Sequence, residues 1–152
     1  MTASVKPICA GRRQTSGRPL FEEIEHTADV ALRIRGESRV QLLIHAALGL
    51  AHVMAPEYAG SEATARCRLA VTAEDAESLL VEWLNELVFQ AEVQRLIFER
   101  FDFVKLEKTA LEVDAEGRRF TALGRHVKAV TYHGLSLAET SHGLEATVVF
   151  DV

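Results

Sequence analysis

Apolar and polar residues alternate in some stretches of this chain and recur at helical spacing in two others. From Asp29 to Arg35, Val30, Leu32 and Ile34 fall on one face and Ala31, Arg33 and Arg35 on the other. That period of two predicts a half-buried strand, which Gly36 ends. Phe21 to Ile24 reads as a short strand just before it. Ser38 is a good N-cap for a helix running to about Met54, with Val40, Leu43, Ile44, Ala47, Leu48 and Ala51 as its core face. Pro56 and Gly60 break that pattern, and Ala63 to Val71 then alternates as a strand with Ala65, Cys67, Leu69 and Val71 inward. A second helix is predicted from Asp75 to about Gln94, capped by Thr72 or Asp75. Glu74, Asp75 and Glu77 suit the positive end of its dipole. Its apolar stripe is Leu80, Trp83, Leu84, Leu87, Val88 and Ala91, so Trp83 reads as core and Asn85 as an ordinary polar helix position.

The rest of the chain has strand character. Phe98, Phe101, Phe103 and Val104 share one segment, and the pattern continues from Leu106 to Val113. Gly117 is read as a turn before a strand at Phe120–Leu123. Lys128 to Leu137 is a further strand with a bulge at Gly134, and Gly143 turns the chain into a last strand, Leu144 to Asp151. Two helices set among short strands do not make a regular βαβ alternation. The fold class is therefore α+β: a mostly antiparallel sheet with both helices packed on one side.

At 152 residues and 48% hydrophobic the chain can build one core, placed here at 20–152. Residues 1–19 differ: Lys6, Arg12, Arg13 and Arg18 stand without an acid, which reads as a disordered basic tail or a transit segment and not as a secretory signal. Seventeen basic residues against 22 acidic ones leave a formal charge of −5, unlike a protein that grips nucleic acid along its own surface. Cys9 and Cys67 have no metal-ligand spacing and read as reduced thiols of a cytoplasmic protein. No apolar run is long enough for a membrane span.

Candidate chemistry sits at three strand ends. Asp29 opens one strand, Asp151 and the Val152 carboxylate close another, and Lys128 begins a third. Taken singly, each has a bland reading as a solvated surface charge. Brought together, two aspartates and a terminus would form an oxygen-rich set suited to a hard divalent cation, with Lys128 as neutralising ammonium or phosphate contact. His26, His126 and His133 could in principle serve a softer metal, but their spacing matches no helix-borne motif. No Gly-rich phosphate loop and no nucleophile elbow is present.

Four blocks carry a family resemblance: Phe21 to Val30 (FEEIEHTADV), Glu77 to Leu87 (ESLLVEWLNEL), Val127 to His133 (VKAVTYH) and Val149 to Val152 (VFDV). In this order they resemble the signatures of archease. The resemblance implies an accessory protein, not itself an enzyme, that activates the RtcB-type RNA ligase of tRNA splicing. It would promote the ligase's guanylylation and multiple turnover and broaden its nucleotide use. RNA and GTP would be met only through the ligase. The resemblance also implies a metal site at Asp29, Asp151 and Val152, holding calcium, or magnesium or manganese, and a functional lysine at Lys128. Departures from the family pattern are Leu144, where an aromatic is usual, the compact stretch from Gly117 to His126, and residues 1–19. Two other readings compete: a stand-alone metal-dependent phosphoesterase, and a chaperone-like module binding proteins through its helix faces.

Overall fold

A computed structural model describes residues 20–25, 29–60 and 64–152. The basic tail at 1–19, with Cys9, lies outside the described residues, as do His26 and the predicted strand start Ala63. The elements are β1 (Phe21–Glu25), β2 (Val30–Gly36), α1 (Arg39–Met54), β3 (Pro56–Glu57), β4 (Thr64–Thr72) and α2 (Ala76–Gln94). They continue with β5 (Leu96–Leu106), β6 (Ala110–Arg119), β7 (Ala122–Leu123), β8 (Ala129–Thr140) and β9 (Gly143–Asp151). The class is α+β with antiparallel pairing throughout. The strands divide among a four-stranded sheet ordered β1-β2-β9-β8, a three-stranded sheet ordered β4-β6-β5, and the small β3-β7 pair.

Both helices start where the sequence places them. The Ser38 hydroxyl accepts from the Gln41 N–H at 3.2 Å, and the Asp75 carboxylate from the Ser78 N–H at 2.7 Å. That second bond holds the Asp75 carboxyl below the usual range. The face expected of α1 is too narrow. Leu42, Ala46, Leu50, Val53 and Met54 are buried as well, while Val40, Leu48 and Ala51 are only half-buried. The reason is that α1 touches β1, β2 and β9 on one side and β5 and α2 on the other, so almost its whole circumference is core. Trp83 ties these layers together. Fully buried, its indole N–H donates to the Leu43 carbonyl of α1 at 2.9 Å, and its ring meets Phe101 edge-on at 5.8 Å.

Gly117 is not a turn. It lies inside β6, opposite Ala65 on one side and Phe98 on the other, where the β5–β6 register shifts. A Cβ there would stand 2.2 Å from the Ile97 carbonyl oxygen, so glycine marks a close backbone approach. The reversal falls instead at residues 107–109, where the Glu107 N–H bonds the Ala110 carbonyl at 2.8 Å. Of the expected strand Phe120–Leu123 only Ala122–Leu123 pairs, and Phe120 is buried. The bulge at Gly134 is real: φ there is +72°, and the β8–β9 register jumps between Thr131 and Ser136.

One histidine, His45, is buried in α1, and its Nδ1 faces the Arg35 carbonyl. A carbonyl only accepts, so Nδ1 carries the proton of a neutral ring. Burial lowers its pKa, outweighing the carbonyl bond and Glu37, which raise it. The unfolded chain therefore takes up a proton at a higher pH than the fold does, and stability falls as pH drops through about 6.5. Thermal melts from pH 7.5 to 5.5 should show this loss, and His45→Gln should flatten the slope while lowering the melting point overall. Gly117→Ala should cost about 1–3 kcal/mol by overpacking against β5, read from the urea midpoint; an unshifted midpoint would mean that β5 gives way freely.

Candidate functional site

The four-stranded sheet brings the three predicted strand ends to one edge. Val30 faces Phe150, so Asp29, one residue earlier, stands beside Asp151 across the β2–β9 pair. Asp151 in turn faces Ala129 at the start of β8, and the Lys128 N–H donates to the Asp151 carbonyl at 2.8 Å. Neighbouring strands lie about 5 Å apart, so the ends carrying Asp29, Asp151 and Lys128 span about 10 Å. Strand alternation separates them by face. Asp29 and Asp151 continue the row of Ala31 and Val149, whereas Lys128 and Val152 continue the row of Val130 and Phe150, which faces the helices. Asp151 and Lys128 are exposed, and Asp29 and Val152 are half-buried.

The donor types of Asp29 and Asp151, two carboxylates, suit a hard cation. Among the described residues no three His, Cys, Asp or Glu side chains cluster closely enough to hold a metal ion. The side chains of Asp29 and Asp151 alone therefore do not make up a ligand set. Of the candidate histidines, His126 and His133 are described and neither joins the aspartates. His133 lies in the β8 bulge and is exposed. His126 is exposed beside Arg95 and Phe120. Cys67 is a half-buried free thiol in β4.

Two features hold the Lys128 segment in place. The loop before it is laid over the C-terminal ends of both helices. The Gly124 and Arg125 N–H groups donate to the Met54 carbonyl at 2.9 and 3.1 Å, and the Arg95 guanidinium donates to the Thr121 carbonyl at 2.9 Å. The Arg125 guanidinium also pairs with Glu23 of β1 at 3.2 Å. After it comes Asn85, whose role the sequence reading missed. Its amide oxygen accepts from the Val130 N–H at 2.9 Å, and its amide nitrogen donates to the Val130 carbonyl at 3.2 Å. β8 is the outer strand of its sheet, so these backbone groups have no neighbouring strand, and Asn85 takes that strand's place. A neutral amide among the glutamates on the outer side of α2, next to its apolar stripe, was the available signal, and it does not name its partner. Two residues further on, the Tyr132 hydroxyl donates to Glu82 at 2.7 Å, a bond that raises the phenol's pKa.

Asn85→Leu should leave both Val130 groups buried and unsatisfied. The expected cost is about 1–3 kcal/mol of stability, with faster amide hydrogen exchange at Ala129–Thr131 than in β2. Exchange unchanged at those amides would show that the clamp does not hold the strand.

Comparison with known proteins matches the whole domain. The model of the archease protein family (MTH1598/TM1083) matches residues 21–152. The chain is 32% identical to protein archease of Methanosarcina barkeri over 140 residues, covering 87% of this chain and 95% of that one. It is 34% identical to the archease of Saccharolobus solfataricus over 137 residues, covering 87% and 98%. Its fold is similar to the crystal structure of an archease, described as a possible chaperone, from Thermotoga maritima: TM-score 0.64, 26% identity, 86% of this chain and 96% of that one. The solution structure of protein 1598 of Methanobacterium thermoautotrophicum gives a TM-score of 0.65 at 26% identity, covering 88% and 99%. With two helices on antiparallel sheets, and a family match running from β1 to the closing residue of the acidic edge, the chain belongs to the archease family.

Proposed function

We propose that this chain is a non-catalytic activator of an RtcB-type RNA ligase in the cytoplasm, promoting its guanylylation and multiple turnover. Family membership supports the reading, and the observation that carries it is the convergence of Asp29, Asp151 and Lys128 on adjacent strand ends. Asp29, Asp151 and the Val152 carboxylate are the groups that hold a divalent cation, calcium first and magnesium or manganese next. All are hard oxygen donors, and such an ion offsets their mutual repulsion. When bound, the ion supplies a fixed positive charge for phosphate oxygens. Lys128 leaves the same edge from the helix-facing side and adds a mobile ammonium with three donors. An edge of this kind can enter another protein's active site and orient a nucleotide's phosphates there, and with them its choice of nucleotide. RNA and GTP are then met inside the ligase, in keeping with the net charge of −5. No helix among the described residues is long and apolar enough to cross a membrane.

The test is ligase guanylylation with labelled GTP, with and without this protein. Asp29→Ala and Asp151→Ala should lose the stimulation while melting within a few degrees of the wild type, because both lie at strand ends outside the core. Full stimulation by both variants would overturn the reading. Phosphoester turnover by the purified chain with metal alone would replace it with the phosphoesterase reading. Holdase activity indifferent to both aspartates would favour a chaperone, the description given to the Thermotoga maritima protein.

A further inference from the structure

Four large apolar side chains are exposed among the described residues, and two of them share one helix: Phe89 at 53% and Val93 at 55%. They stand one turn apart on α2, in a stripe made of Glu82, Asn85, Glu86, Phe89, Glu92 and Val93 at three- and four-residue spacing. The first half of the stripe is engaged. Glu82 accepts from Tyr132, Asn85 holds Val130, and Glu86 accepts from the Gln90 amide at 2.9 Å. The second half is open to solvent.

That open half lies beside the acidic edge. β8 runs antiparallel to α2, since Tyr132 meets Glu82 and Val130 meets Asn85, while Val127 lines the same cavity as Val88 and Ala91. Lys128 therefore comes alongside the turn at Val88–Phe89, and both Lys128 and Phe89 are exposed. The cavity, about 230 Å3, opens between this part of α2 and the loop before Lys128, and Glu92 and Phe120 are among its walls.

We propose that Phe89, Val93 and the adjoining cavity are the docking surface for the protein whose active site receives the Lys128 edge. This rests on the ligase reading above and names the surface that reading needs. The partner's matching surface is an apolar side chain flanked by lysine or arginine. Charge decides that chemistry. α2 carries four glutamates and no lysine or arginine, and Glu86 and Glu92 border the apolar pair; Arg95, just past the helix, is turned to the Thr121 carbonyl and the Phe120 ring, and Lys128 comes alongside from the strand. The same charge argues against a second copy of this chain, because a two-fold contact through α2 would set glutamates against glutamates. Docking here places Lys128 and the aspartates at the rim of the contact, free to reach into a cleft.

The experiment titrates this protein into the purified ligase and reads guanylylation against concentration at low and moderate salt. Phe89→Gln keeps a good helix former at an exposed position, so the fold is retained. It should raise the half-maximal concentration at least tenfold and leave the plateau unchanged, as loss of an aromatic anchor does. Glu92→Lys should shift the half-maximal concentration the same way and weaken its dependence on salt. Asp151→Ala should do the reverse: it loses the stimulation but still docks, competing with wild type at the concentration wild type itself requires. If wild type stimulates and Phe89→Gln titrates like it, the docking surface is wrong and the ligase reading stands. If wild type neither binds nor stimulates, both are wrong. A wild-type dimer by sedimentation that Phe89→Gln abolishes would assign the surface to self-association instead.

Discussion

The buried indole of Trp83 sets the arrangement on which everything else rests. It is the largest side chain of the core, and an indole N–H cannot be buried without an acceptor. Its acceptor is the Leu43 carbonyl, in the second turn of the other helix. That one bond fixes how deep α2 sits against α1 and how it is rotated. Phe101 and Phe103 close round the ring from β5, so the three-stranded sheet is held to the same anchor. The rotation that buries Trp83 also decides which residues of α2 remain outside: Glu82, Asn85, Glu86, Phe89 and Val93.

The acidic edge depends on that rotation at one remove. β8 is an outer strand, and an outer strand whose first residues are unpaired frays readily. Asn85, two positions after Trp83, presents a donor and an acceptor to Val130 and closes the strand against the helix. Lys128 is therefore held on both sides, by Asn85 after it and by a loop pinned to two helix ends before it. Asp29 and Asp151 need no such device. They stand at the ends of β2 and β9, inner strands paired on both sides as far as Val30 and Phe150. The edge thus sets two carboxylates at the ends of inner strands beside a lysine on a long side chain, and the open half of α2 runs beside it.

Much of this was legible in residue order, for reasons that are local. Helix starts at Ser38 and Asp75 are readable because an N-cap satisfies its own neighbours. The alternation of Val30, Leu32 and Ile34 is readable because a strand's side chains have a period of two. Gly134 and Gly143 marked a bulge and a hairpin because a positive φ favours glycine there. Gly117 misled for the complementary reason. Its glycine answers to the Ile97 carbonyl on another strand, and nothing within its own segment distinguishes that from a turn. The burial of α1 was underestimated likewise, since a periodic stripe shows one partner surface and this helix has two.

The sequence by itself determined both helices and most of the strands, that the class is α+β, and which residues carry charge at strand ends. Its four ordered blocks also pointed to the family. Only the tertiary structure decided that the β8–β9 hairpin lies against β2, because that pairing joins residues more than a hundred positions apart through backbone bonds that leave no mark on composition. That order places Asp151 between Asp29 and Lys128. It also turned Asn85 from an ordinary polar helix position into the clamp on β8, since a side chain's hydrogen-bond partner exists only once the chain has folded against it.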